Sequence, residues 1–361
     1  MDQHQDQRQT DAPRWALHVQ REPIGLHDWF VLGGLTLLAD RGEAEIRWID
    51  RALPEEPGLW MEACDRLTGS TARVCLDLED QGSLRSPRRR ALADLVWKRS
   101  WHSSLPPDVR PLGLVTGVTS GLEPRLRLAA AVLQHRGSLR SRRRALANVR
   151  QLWRRERRPP PLGRLEALPD DKPAQQTVLF QVRAWEPERG SDPEDRELAN
   201  EGRAEIIRLL REELGPRFQG GFLPTEHARR RYPSLLTNLE SSQDGYLRLL
   251  RRAAIGVSTV GLHGSNPYKL GEYLAAGTAI VSEPLRFSLP EPLLEDVNVC
   301  TFTSPEACVE ACRSLLDDPA RLRRMQHSNQ QYWLRYAHPS ALPRRRLLGL
   351  THRTGGRHGS G

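Results

Sequence analysis

Short apolar runs alternate along the chain with longer segments in which apolar residues recur every three or four positions. In the first half, runs at Trp15–Gln20, Glu45–Ile49, Ala72–Leu76, Leu95–Trp97 and Leu112–Thr116 predict strands, and Trp29–Asp40 has helical spacing. The pattern restarts after residue 176. Thr177–Val182, Phe218–Phe222, Ala254–Ser258, Thr278–Ser282 and Val297–Phe302 predict strands. Glu194–Leu214, Tyr246–Arg252, Lys269–Ala276, Pro305–Leu316 and Pro319–Arg335 predict helices.

Strands separated by helices imply an α/β fold with largely parallel sheets. A basic stretch divides the two series. Residues 136–164 hold eleven arginines and one acid, Glu156, and end in Arg157-Arg-Pro-Pro-Pro-Leu162, which suits a linker better than a helix. The expected organisation is two Rossmann-like domains facing a cleft, 14–165 and 166–335, followed by a return segment at 336–350. A polar leader at 1–13 and a Gly-, His- and Arg-rich tail at 351–361 are expected to be loose. In such folds ligands bind beyond the carboxyl ends of the strands. One internal echo, residues 82–94 against 137–148, has only two copies and does not define a solenoid.

Charge narrows the partners. Fifty-four Lys and Arg against 45 acids give a formal charge of +9, which favours phosphates, nucleic acid or an anionic membrane surface. Nucleic acid is disfavoured, because there is no zinc spacing, no RNP-like aromatic motif and no helix-turn-helix pattern. Five cysteines without framework spacing are expected as buried thiols in a reducing compartment. The first fifteen residues lack the apolar core of a secretory signal. No run reaches the ~20 apolar residues of a membrane span. The expected location is the cytoplasm, and the basic stretch could meet the inner face of the membrane.

The chemistry is densest after the strand predicted at 254–258. Gly261-Leu-His-Gly-Ser-Asn-Pro267 leads into a helix near Tyr268. Strand, glycine loop and helix start can hold a diphosphate, because backbone N–H groups converge at the positive end of the helix dipole. Gly261, Gly264, Ser265, Asn266 and Lys269 are the candidate phosphate-side residues. Glu272, one turn beyond Lys269, could accept hydrogen bonds from ribose hydroxyls. Residue types alone equally allow an ordinary crossover with a surface Lys–Glu pair.

Lys269-Leu-Gly-Glu-Tyr-Leu-Ala-Ala-Gly-Thr-Ala-Ile-Val-Ser282 resembles the KLxEYLAAGxPVV segment of GT-B glycosyltransferases of the glycosyltransferase group 1 type. Residues 304–319 resemble that family's PEALAEALLRLLEDP helix, and 331–342 its closing helix. The resemblance is strong over 245–345 and loose over 176–244. It implies a nucleotide-sugar substrate, a donor ribose held by Glu272, and no metal or other cofactor. It places a second glutamate eight residues before Glu272, where this chain has Gly264. It also implies an Arg and a Lys near the first strand of the second domain. Arg183 fits the first, no Lys follows, and Arg189 is a weak substitute.

In the first domain, Gly25-Leu-His-Asp-Trp29 precedes the first helix. His27 or Asp28 could be the general base of an inverting transfer, although Asp28 equally fits a helix N-cap. Asp77, Lys98 and Arg99 follow predicted strands and could bind the acceptor, or simply end strands in solvent. The function expected is glycosyl transfer to a glycan or lipid-linked acceptor, in cell-surface polysaccharide or glycoconjugate synthesis. The alternatives are a basic nucleic-acid-binding protein and a sugar-nucleotide epimerase of related fold.

Overall fold

The computed structural model describes residues 12–20, 28–49, 51, 53–54, 56, 58–118, 130, 143, 146, 160–188 and 192–354. Most of the basic stretch and of the second copy of the internal echo, together with His27 and Arg189, lie outside these residues.

The first domain is a six-stranded sheet in the order β2-β1-β3-β4-β5-β6. Its strands are β1 (Trp15–Gln20), β2 (Ala44–Ile49), β3 (Leu59–Asp65), β4 (Thr71–Asp77), β5 (Leu95–Lys98) and β6 (Val109–Pro111). Helix α1 (Asp28–Asp40) joins β1 to the parallel β2. Leu32, Leu35 and Leu38 of α1 are buried against Leu17, Val19 and Leu76 of the sheet. Each such side chain contributes about 1.5–3 kcal/mol.

Two features depart from the expected parallel pattern. Strand β3 lies mid-sheet and runs antiparallel to both β1 and β4. A tight turn joins it to β4, with Gly69 N donating to Asp65 O at 2.8 Å. The run expected as a strand at 112–116 is not one. Pairing with β5 ends at Pro111, with a last bond from Leu112 N to Lys98 O at 3.0 Å. Leu114 and Val118 are buried instead among residues of the second domain.

The short helices α2 (Pro87–Arg90) and α3 (Leu162–Leu165) precede the second sheet, whose order is β11-β10-β9-β7-β8. All its pairings are parallel. The strands are β7 (Val178–Val182), β8 (Phe218–Phe222), β9 (Ile255–Ser258), β10 (Ala279–Ser282) and β11 (Val299–Thr301). The crossovers are α4 (Pro193–Leu214), α5 (Glu226–Arg231), α6 (Gln243–Arg252) and α7 (Tyr268–Ala275).

Asp192 caps α4 by accepting from Asp195 N, and Pro193 occupies the first turn, where its missing N–H costs nothing. Helices α8 (Pro305–Asp317) and α9 (Pro319–Tyr332) follow β11. The chain then passes through a π-turn at Trp333–Ala337 to α10 (Ala341–Thr354). Leu342, Leu347 and Leu350 of α10 lie in the core of the first domain. No helix among the described residues is long and apolar enough to cross a membrane.

Candidate functional site

Strands β9 and β10 are in register, with Ser258 opposite Ser282. The loops that follow them therefore leave the sheet side by side. They are tied together where they emerge. Glu283 N donates to Ser258 O at 3.1 Å, and Val260 N donates to Glu283 Oε2 at 2.7 Å.

Arg203 of α4 ties the end of β9 to the end of β7. Its guanidinium donates to Thr259 Oγ1 at 3.1 Å, Arg183 O at 3.1 Å and Val260 O at 3.4 Å. Burial pulls Arg203 down to about 10, with Glu283 and Asp195 opposing, so it stays charged at neutral pH. Arg183 itself stands exposed at the carboxyl end of β7.

The loop 261–267 closes on itself. Gly261 N donates to Ser265 O at 2.8 Å and Gly264 N to Gly261 O at 3.1 Å. His263 is left-handed at φ 58, and its N–H donates to Asp195 Oδ2 at 2.8 Å. Gly264 has φ +71, and the position a Cβ would take lies 2.4 Å from Cδ of Arg286. A glutamate there would meet both backbone strain and the arginine. The chain thus has a left-handed glycine where the resembled pattern has a glutamate.

No described side chain caps the start of α7. Asn266 Nδ2 donates to Phe287 O at 3.0 Å. Asn266 Oδ1 and Ser258 Oγ are buried with no hydrogen-bond partner among the described residues. One turn into α7, Lys269 Nζ lies 3.2 Å from the Tyr246 hydroxyl and 4.5 Å from the centre of its ring. The same hydroxyl donates to Glu272 Oε2 at 2.5 Å. Lys269 and Glu272 are thus linked through Tyr246 of α6.

The first domain meets the loop from the other side. Arg99 Nη2 donates to Asn266 O at 2.6 Å, its guanidinium lies 4.1 Å from the Tyr268 ring centre, and Nη1 pairs with Asp80. Phe30 of α1 packs edge-on against Tyr268 at 5.3 Å. Asp28 opens α1 and is buried. Burial raises the Tyr268 phenol well above its usual range. Arg99 opposes that shift, while the charges of Asp80, Asp28 and Glu79 add to it. Gly271 allows the close approach, since its Cβ position lies 2.0 Å from Thr116 Oγ1.

Asp77 and Lys98 are placed differently. Lys98 is 0% and Asp77 1% exposed, and Nζ donates to Asp77 Oδ1 at 2.8 Å and to Glu79 O at 3.2 Å. Asp77 also accepts from Glu79 N at 3.3 Å and Arg85 N at 2.9 Å. Burial lowers the Lys98 ammonium below the usual lysine range, and Asp77 opposes it. The pair shapes the loop that carries Asp80. As placed, it turns inward rather than toward an acceptor.

Two groups of described residues bring three possible metal ligands within 4.8 Å, Asp192/Asp195/His263 and Glu295/Asp296/Cys300. In the first, Asp192 caps α4 and Asp195 holds His263 N. In the second, Asp296 is ion-paired with Arg321. Tyr246, Arg203 and Arg286 were not singled out from the sequence. Tyr246 lies one face-turn inside a helix, and the two arginines lie far along the chain from the loop they touch.

Residues 193–341 match the family model described as "Glycosyl transferase-like". The match covers less than half of the chain. The matched segment contains the whole loop 261–267, α7, Arg203 and Arg286. No curated protein matches the chain by sequence. Among solved structures, the chain is similar to the C-terminal domain of a glycosyl transferase group 1 family protein from Francisella tularensis. That likeness has 11% identity and a TM-score of 0.33, and covers 47% of this chain and 90% of that one. It is similar to HepE of Anabaena, solved in complex with UDP, at 12% identity and TM-score 0.38, covering 88% and 89%. It is also similar to the UDP-GlcNAc 2-epimerase of Neisseria meningitidis, solved bound to UDP-GlcNAc, at 12% identity and TM-score 0.37, covering 74% and 66%.

Proposed function

We propose that the protein transfers a sugar from a nucleoside diphosphate donor to a glycan or lipid-linked acceptor, with the donor seated on the loop 261–267. The observation that carries this reading is the position of that loop. It sits between a parallel strand end and an uncapped helix start, inside the glycosyl transferase-like segment. The diphosphate lies against the loop and the first turn of α7, where backbone N–H groups and the helix dipole offset its charge. Glu272 accepts from the ribose hydroxyls, held in place by Tyr246. Lys269 and Arg183 add positive charge, so the reaction needs no metal.

In the transfer itself, the acceptor oxygen bonds to the sugar's anomeric carbon. The bond from that carbon to the diphosphate oxygen breaks, and the diphosphate leaves with the electron pair. Asp28, at the start of α1, takes the acceptor proton. The activity belongs to polysaccharide or glycoconjugate synthesis.

A thermal-shift screen against UDP, GDP, ADP and dTDP tests the donor site, because a ligand that binds only the folded state stabilises it by mass action. At least one of the four should raise the melting temperature, and Glu272→Ala should reduce that rise. No shift with any of them would remove the basis for the reading.

A further inference from the structure

The resemblance to known sequences leaves one cation unaccounted for. Arg183 stands at the end of β7, and no lysine follows it. The loop after β10 supplies an arginine in a different place. Residues 283–288 are fastened on both sides of Arg286. On one side Glu283 holds Val260 N and donates its own N–H to Ser258 O. On the other, Phe287 O accepts from Asn266 Nδ2, and Ser288 N donates to Trp101 O at 3.0 Å. The backbone that carries Arg286 is therefore anchored to both loops of the site.

The side chain of Arg286 lies over Gly264. From the position of a Cβ on that glycine, Cδ is 2.4 Å away, Nε 3.2 Å and Nη1 3.3 Å. The glycine's missing side chain is what lets the guanidinium lie against the loop backbone. Arg286 is exposed, and among the described residues no carboxylate pairs with it. The nearest acid along the chain, Glu283, is bonded to Val260 N. The neighbouring arginines are engaged, Arg99 with Asp80 and Asn266, and Arg203 with three strand-end oxygens. Next to this loop, Asn266 Oδ1 and Ser258 Oγ are buried without a hydrogen-bond partner among the described residues.

We infer that Arg286 is a diphosphate-binding residue of the donor site, reaching the phosphates from the β10 loop across Gly264. This rests on the proposed donor site. A guanidinium presents a rigid planar fork that matches two phosphate oxygens at once, and it stays charged at every working pH. Placed over the loop, it draws the negative charge toward the start of α7 and stabilises the diphosphate as it leaves. The pairing also accounts for the glycine: any side chain at 264 would push the cation off the phosphates.

The test compares the diphosphate and monophosphate of each base, UDP with UMP, GDP with GMP, ADP with AMP and dTDP with dTMP. Binding is measured by calorimetry on wild type, Arg286→Ala and Arg286→Lys. Wild type should prefer the diphosphate of its base. Arg286→Ala should weaken that diphosphate about tenfold or more while leaving the monophosphate nearly unchanged, so the preference collapses. Arg286→Lys should recover part of it, as a point charge without the fork.

A merely structural role would weaken both nucleotides together or lower the melting temperature of the ligand-free protein. Either result overturns the assignment, as does a diphosphate preference unchanged in Arg286→Ala. If wild type binds none of the eight nucleotides, the donor site itself is refuted and Arg286 falls with it. If wild type binds and Arg286→Ala binds equally, only Arg286 is refuted.

Discussion

Two groups of charges sit at the carboxyl ends of the two sheets, and they are built in opposite ways. At the end of β4 and β5, Asp77 and Lys98 are sealed from solvent and answer each other. At the end of β9 and β10, Arg286 is exposed without an acid among the described residues, and Asn266 Oδ1 and Ser258 Oγ have no described partner. A cluster that satisfies itself shapes the fold, because buried charges are tolerated only when paired. A cluster with capacity left over is where a ligand completes the set. The first group is complete in itself, and the second is the one to which the proposed donor site is assigned.

The sharpest way to break this contrast is to open the sealed pair. Lys98→Met leaves the Asp77 carboxylate buried without its cation, and the folded state should lose about 3–5 kcal/mol. Urea unfolding reads that loss, and the protein that remains folded should still bind nucleotide. Loss of nucleotide binding with unchanged stability would move Lys98 into the site. Gly264→Glu restores the resembled sequence pattern, yet it should lower nucleotide affinity about a hundredfold. The cause is the left-handed backbone at φ +71 and the side chain of Arg286 in the way. Calorimetry would decide it, and improved binding would show that the glycine is not there for the arginine.

A third buried group, His338, lies at the crossover between the domains. Its Nδ1 accepts from Ser340 N at 3.1 Å, and Nε2 lies 3.6 Å from Glu166 Oε1. Burial, with Arg41 and Arg344 adding, pushes its imidazole down to about 4 from an ordinary 6.5. The unfolded chain therefore takes up a proton between pH 6.5 and 4 that the folded chain refuses. Stability is complete above pH 6.5 and falls by at most about 3 kcal/mol toward pH 4. Melting temperatures across that range should show a smaller decline in His338→Asn, and an equal decline would remove His338 as the cause. The smallest effect concerns Glu272→Ala. It should cost about tenfold in nucleotide affinity, near 1.4 kcal/mol, with little change in ligand-free stability, since Glu272 is only partly buried.

The second domain was readable because its strands are parallel and its helices carry local signals. The glycine loop, the helix start at Tyr268 and the glycine after Ala276 are all short-range features. The first domain was harder. Strand β3 is antiparallel in a sheet expected to be parallel, and nothing within Leu59–Asp65 states its direction. The run 112–116 is apolar because Leu114 and Val118 bury against the other domain, which a local pattern cannot separate from a strand.

The site divides in the same way. Lys269, Glu272 and Asn266 stand next to one another in sequence and were legible. Tyr246 reaches Lys269 and Glu272, Arg203 reaches Thr259 and Val260, and Arg286 reaches Gly264, all through tertiary contacts made across 20 to 60 residues of chain. For Asp77 and Lys98 the sequence offered an acceptor contact or a strand end in solvent, and their complete burial as an ion pair is not the solvent-exposed strand end.

Hydrogen exchange on the whole chain, with and without saturating UDP, GDP, ADP or dTDP, bears most directly on the donor loop. With the diphosphate that stabilises the protein, amides of 261–267 and the first turn of α7 should gain protection. Residues 77–80 and 95–98 should exchange as before. Protection centred on 77–80 and 95–98, with 261–270 unchanged, would contradict the account.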